Sequence, residues 1–147
     1  MEEKSLHCEI SKLISLRAEG DYWDFKQEWH SNNSDLLHDI ICMANNLSNR
    51  DAYIIIGVTD SKSVNGVKVL GVPDTNRKTQ QNLIDFLKEI KFAGDIRPTV
   101  YVRKTNHHGK ELDVIIIKNS TNTPYYLSGS YQGVYNGKIY TRVGDTN

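Results

Sequence analysis

An α+β domain with a mixed β-sheet and about three helices is what this sequence predicts, and three observations predict it. The run "AYIIIGV" at 52–58 is apolar at every position before its glycine, as expected of a strand buried on both faces. Three other segments repeat apolar residues at helical spacing. Strand-like runs then crowd the second half of the chain around glycine-bearing turns, so hairpins come late and strand does not alternate regularly with helix.

Taken in order, "SLHCEISKLISLRA" at 5–18 places Leu6, Ile10, Leu13 and Ile14 on one face behind Ser5, an N-cap residue. Gly20-Asp21 breaks that pattern. "YWDFKQEW" at 22–29 then alternates Tyr22, Asp24, Lys26 and Glu28 against Trp23, Phe25, Gln27 and Trp29, the period of a strand with one charged face and one oily face. A second helix is expected over about 34–48, with Leu37, Ile40, Ile41, Ala44 and Leu47 as its stripe. After the buried strand, Asn65-Gly66 signals a hairpin leading into a short strand "VKVLGV". Asp74 or Thr75 can cap a third helix running to about Lys91, with Leu83, Ile84, Leu87 and Ile90 inside. "TVYVRKT" and "ELDVIIIKN" flank "NHHGK" as a hairpin with a basic tip, and "KIYTRVG" reads as a last strand.

A chain of 147 residues is one domain's length, able to bury roughly 68–70% of the surface its unfolded form exposes. No apolar run approaches the roughly 18–20 residues that cross a bilayer, and the start has neither a basic region nor an apolar one of the kind that directs secretion. A cytoplasmic protein with no membrane partner is therefore expected. Cys8 and Cys42 fall on what read as apolar helix faces, which favours buried free thiols over a bridge. The net charge of zero conceals an asymmetry: residues 1–60 carry 5 Lys/Arg against 11 Asp/Glu, and residues 61–147 carry 13 against 7. A polyanion is served by such a chain only if the bases share a face and the acids lie elsewhere or are neutralised.

Chemistry concentrates around "EGDYWDFKQEW" at 19–29. The turn at Gly20-Asp21 resets the strand phase between Glu19 and Asp24, so both can point to one edge. Asp60, at the carboxyl end of the buried strand, joins them if the two strands are neighbours. Crowded carboxylates raise one another's pKa, and a divalent cation relieves the repulsion. Oxygen ligands select Mg²⁺ or Mn²⁺, which polarise phosphoryl oxygens and activate water, with Lys26 placed to meet a phosphate. The sequence equally allows Glu19 to be solvated, Asp24 to pair with Lys26 or Arg142, and Asp60 to be an ordinary turn residue.

The stretches "GDYWDFKQEW", "LLHDIICMANN", "YIIIGVTD", "VNGVKVLGV", "TPYYL" and "IYTRVGDTN" occur in an order that resembles the Schlafen-type AlbA domain, over about residues 15–147. The resemblance implies an AlbA-like Schlafen fold and a DNA-binding or RNA-binding role. In members that cleave RNA it also implies a divalent-metal nuclease site, which would fall on Glu19, Asp24 and Asp60 with Lys26 in the family's lysine position. Two departures stand out. Asp24 occupies a place where the family usually has Glu, one methylene longer, and "NNLSNRDAY" lacks the Gly-Gly that usually precedes the buried strand.

Three functions therefore stand open. They are nucleic-acid binding with a metal-dependent endoribonuclease (hydrolase) site, a non-catalytic DNA- or RNA-binding regulatory module, and a protein-interaction domain, with homodimerisation compatible with each. For binding, the cationic candidates are Arg77, Lys78, Arg97, Arg103, Lys104, His107, His108, Lys110 and Arg142, whose contacts with phosphate would weaken with salt. Tyr125, Tyr126, Tyr131 and Tyr135 can stack on unpaired bases or pack in the fold. His38 and Cys42 have helical i, i+4 spacing but no second pair of zinc type, and His30 can shuttle a proton or simply sit beside Trp29. Without G-x-x-x-x-G-K-[ST] or G-x-G-x-x-G after a strand, the chain has no phosphate cradle for a nucleotide.

Overall fold

Continuous apolar character at 52–56 has its expected consequence, because every residue of that strand is buried, and its alternate side chains enter two different cores. The computed structural model describes residues 3–147 except Ser61 and Asn65, so the hairpin signal read at Asn65 lies outside the described residues. Its elements are α1 (Glu3–Ser15), β1 (Trp23–Lys26), α2 (Asn33–Ala44), β2 (Ala52–Ile56), α3 (Gln80–Glu89), a short 3-10 turn (Ala93–Asp95), β3 (Val100–His107) and β4 (Lys110–Ile117). The four strands form one mixed sheet in the order β1-β2-β4-β3, with β1 parallel to β2 and the other pairs antiparallel. The fold is the α+β class expected, three helices on a mixed sheet.

Ala52, Ile54 and Ile56 face a core built with α2 and α3, including Leu37, Ile40, Ile41, Leu83, Leu87 and Trp29. Tyr53 and Ile55 face the other side, where Leu6, Ile10, Leu13 and Ile14 of α1 cover the sheet with Phe25 and Val114. Each buried aliphatic side chain contributes roughly 1.5–3 kcal/mol relative to exposure. The central strand therefore carries stabilisation from both layers.

Boundaries depart from expectation where local chemistry outweighs periodicity. α1 stops at Ser15, and Arg17 takes a left-handed conformation (φ 55°) that ends it before the predicted residue 18. β1 is four residues long rather than eight, so Trp29 leaves the strand and packs in the α2 core instead of beside Phe25. α3 begins six residues after Asp74. Asn76 is left-handed (φ 57°), and Thr79 with Asn82 forms the reciprocal capping box that starts the helix. "VKVLGV" forms no strand of the sheet; an isolated Val58–Val69 bridge and backbone hydrogen bonds of Lys68, Leu70, Gly71 and Val72 hold it against the turn after β2 and the start of β4. "KIYTRVG" is not a strand; the C-terminal segment is held by isolated bridges and by side chains.

Cys42 is buried as expected, but Cys8 is exposed, on the outer side of α1; both are free thiols. Gly57 (φ 112°) shows what a glycine is needed for here: a Cβ would lie 2.7 Å from the backbone nitrogen of Val72. The turn after β2 can thus press against the 70–72 segment, and the Gly57 carbonyl accepts from Leu70 and Gly71.

A candidate site of buried charge and a separate basic surface

β1 is an edge strand, and its free edge is closed by side chains. Tyr22 O and Lys26 O accept from Tyr53, Gly57 and Val58, so the alternate groups of β1 point away from the sheet. There Arg142 Nη2 donates to Trp23 O (3.0 Å), Arg142 Nε donates to Gly20 O (2.7 Å), and Phe25 N donates to the Glu19 carboxylate (3.4 Å). Arg142 is only 2% exposed. Within the segment expected to form a last strand, Arg142 thus donates to two backbone carbonyls, one of them on β1.

Around it sit three carboxylates and a second cation. Arg142 Nη2 lies 3.3 Å from Asp24 Oδ1 and 4.0 Å from Glu19 Oε2, and Arg142 Nη1 donates to Asn147 (2.8 Å). Lys26 Nζ stands 3.3 Å from Asp24 and 3.4 Å from Asp39. Asp39, on α2, also holds His30 Nε2 at 2.6 Å and accepts from Asn147 Nδ2 at 2.9 Å. Sequence reasoning missed Asp39, although an acid amid Leu36, Leu37, Ile40 and Ile41 on a buried helix was a visible signal. His30 proves a buried partner of that acid rather than a surface residue.

The protonation pattern follows from this packing. Burial pushes the Glu19 carboxyl up to about 8, helped by the hydrogen bond and charge of Asp24 and by the charge of Asp60, against the opposing Phe25 N–H. Burial disfavours ionised Asp39 too, but the His30 hydrogen bond and Lys26 outweigh it and bring Asp39 down to about 2. Burial also opposes the charge on Lys26, and Asp24 and Asp39 more than restore it, raising its pKa. Asp24 and Asp39 face Lys26 and Arg142 at 3.3–3.4 Å.

Glu19 and Asp24 thus come together as the sequence suggested, and Arg142 joins them as an internal partner rather than a surface contact. Asp60 is engaged in its own turn, where its carboxylate accepts from Lys62 N (2.8 Å) and Ser63 Oγ (3.3 Å), and its charge helps raise the Glu19 pKa. Among the described residues, no three His, Cys, Asp or Glu side chains converge as a metal-holding group. Two atoms of the cluster are buried without a hydrogen bond: Asp24 Oδ2, which faces Lys26 as an ionic contact, and His30 Nδ1.

The remaining cations scatter. Arg77 is gripped by Asp113 (2.9 Å) and Glu111 (2.7 Å), whose hydrogen bonds hold its pKa above the ordinary value, while Trp29 Nε1 donates to the same Asp113 (2.8 Å). Lys78 lines a hollow with Arg77, Asp85 and Glu89. Arg97 is half-buried, whereas Arg103 and Lys104 are exposed on β3, Arg103 stacking on Tyr101. His107, His108 and Lys110 form the expected tip, a two-residue turn with His108 and Gly109 both left-handed. Tyr125 is buried, Tyr131 packs on Phe86, and Tyr126 and Tyr135 are exposed. His38 and Cys42 lie 3.8 Å apart, and burial pushes the Cys42 thiol up to about 12, which leaves it inert at neutral pH. No helix among the described residues is long and apolar enough to cross a membrane.

Two solved structures share the fold. The N-terminal domain of a Nitrosomonas europaea protein named for its relation to the ATP-dependent DNA helicase RecG superposes with a TM-score of 0.60 at 20% identity, covering 96% of this chain and 90% of that one. The DIP2311 protein of Corynebacterium diphtheriae gives 0.53 at 18% identity, with 97% of this chain matching 26% of that one. No curated protein sequence matches this chain. The family model described as "Schlafen, AlbA_2" matches residues 19–147, spanning both β1 with its buried charges and the basic hairpin, and the chain belongs to that family.

Proposed function

We propose that this domain binds RNA or DNA through the exposed cations of its second half, while its buried charge cluster holds β1, α2 and the C-terminal segment together. The observation that carries this reading is the difference in pairing. Arg142 and Arg77 are consumed by internal carboxylates, whereas Arg103, Lys104, His108 and Lys110 stand exposed along one hairpin. Family membership, and a structural neighbour whose name refers to a DNA helicase, support the ligand class. Fluorescence anisotropy with labelled RNA and DNA strands tests it. Affinity is expected to fall steeply between about 50 and 200 mM salt. Arg103→Glu with Lys104→Glu should weaken binding at least tenfold, whereas Arg77→Ala should leave it within about twofold. Binding that ignores both salt and the double reversal would overturn the reading.

A metal-dependent endoribonuclease is the second reading, motivated by the buried Asp24 oxygen that lacks a hydrogen bond, although the raised Glu19 pKa opposes a cation because a ligating carboxyl must first lose its proton. Bound Mg²⁺ or Mn²⁺ would supply a Lewis acid and an activated water. Glu19, Asp24 and Asp60 are the residues to hold it, with Lys26 adjacent. In this geometry they do not fit a metal: Lys26 and Arg142 already balance the acids, and Asp60 is engaged in its own turn. Incubation of structured RNA with Mn²⁺ or chelator decides the matter. Chelator-sensitive cutting that Asp60→Asn abolishes, with binding retained, would establish the activity; intact RNA in Mn²⁺ at about pH 8.5, above the Glu19 titration, would end it.

A further inference from the structure

Away from the acid cluster, a groove of about 800 Å³ runs between α1 and the tip of the β3–β4 hairpin. Its polar lining includes His7, Ser11, Arg17, Lys68, His107 and His108, over apolar Ile14, Val67 and Val69. No Asp or Glu lines it among the described residues, and no ion pair found among them engages Arg17 or Lys68. This is the reverse of the buried cluster, where every cation meets a carboxylate.

We propose that this groove is the track for the phosphodiester backbone of a single nucleic-acid strand, held by His7, Arg17, Lys68, His107 and His108. The inference rests on the nucleic-acid reading above and assigns it a location, adding His7, Arg17 and Lys68, which the sequence did not single out for binding. Two features favour a strand over a small anion. Helical rise separates His7 from Ser15, both on the groove, by about 12 Å, and Arg17 lies beyond, so the track extends past the roughly 3.4 Å of axis occupied by one phosphate of a strand. The apolar floor between the cations offers sugars and bases a surface that phosphate alone does not need.

The imidazoles make this track responsive to protons. His7 Nδ1 lies 3.3 Å from Thr105 Oγ1, and His107 Nδ1 lies 3.3 Å from Ser11 Oγ, so both rings are oriented by neutral hydroxyls. His107 and His108 pack edge to face with centroids 4.3 Å apart. Burial, then the charges of His108 and His7, lower the His107 pKa, so these neighbours oppose charging of that ring. Thr105 of β3 and Ser11 of α1 meet these rings, and Ser15, Arg17 and Lys68 share the groove with them; among the described residues that line it, none is a carboxylate. A phosphate strand would reverse the resistance by favouring the imidazolium forms, and binding would take up protons.

The test measures binding of a labelled single-stranded RNA at about pH 6 and about pH 8.5, at constant ionic strength, with inorganic pyrophosphate as competitor. Wild type should bind at least fivefold more tightly at the lower pH. His7→Gln with His107→Gln and His108→Gln should remove that pH dependence, and Arg17→Gln with Lys68→Gln should weaken binding at least fivefold at both. These side chains lie at the surface or partly so, and unchanged circular dichroism is expected for both variants. RNA binding that is pH-independent and indifferent to both sets of substitutions would overturn the groove while leaving the nucleic-acid reading intact. An absence of RNA and DNA binding at either pH would remove that reading itself. Displacement by pyrophosphate at concentrations equimolar with the strand would show a small-anion site instead and also refute the proposal.

Discussion

The buried cluster at β1 and the groove along α1 are both rich in ionisable groups, yet they are organised in opposite ways. In the cluster, Arg142 and Lys26 lie within 3.4 Å of Asp24 or Asp39, and the guanidinium also holds backbone carbonyls across a strand edge. In the groove, cations and imidazoles face one another over an apolar floor with only hydroxyls between them. Charges that leave water must find partners within the chain, whereas charges left at the surface can keep their electrostatic potential for a ligand. Residue type alone does not separate the two uses, since arginine occurs in both.

The sharpest way to break this comparison is to remove the buried cation. Arg142→Met should cost about 3–5 kcal/mol in urea denaturation, because two backbone carbonyls lose their donor and Asp24 keeps only Lys26. A loss below about 1 kcal/mol would show that the cluster is not structural. Arg77→Ala leaves Asp113 with Trp29 as its remaining partner and should cost about 2 kcal/mol, a value reduced because the arginine is partly exposed.

Glu19 sharpens the contrast through pH. Its folded pKa, about 8, lies above the ordinary 4.5, so the folded state holds the proton more tightly. Stability should therefore decline as pH rises from about 5 to about 8, by something on the order of 2 kcal/mol, and level off above that. Glu19→Gln should flatten that decline. Asp39 acts with the opposite sign: its pKa near 2 is depressed, and its contribution should disappear as pH falls from about 4 to about 2. The smallest effect belongs to an exposed pair, Lys118 with Asp51 (2.8 Å), where Lys118→Ala should cost no more than about 1 kcal/mol. Equal losses for Lys118 and Arg142 would erase the distinction between the two environments.

Much of the fold was legible from the chain because its signals are local. The unbroken apolar run marked β2, helical spacing marked α1 and α2, and His108-Gly109 marked the hairpin turn. Legibility ended where a local cap or a distant partner prevailed. The start of α3 was set by the Thr79–Asn82 box rather than by Asp74, and β1 was cut short when Trp29 turned toward Asp113. The closeness of Glu19 and Asp24 was readable from the turn between them, but Asp39 was not assigned and Asp60 stayed outside the cluster.

By itself, then, the amino-acid order determined α1, α2, β2 and the β3–β4 hairpin, that β2 is covered on both sides, and that acids gather early and bases late. Only the tertiary structure decided which of those charges are consumed. Arg142 is 118 positions from Asp24, and His107 is 96 from Ser11. Backbone propensity acts over a few residues, whereas the pairing or exposure of a charge depends on what the folded chain brings within a few ångströms of it.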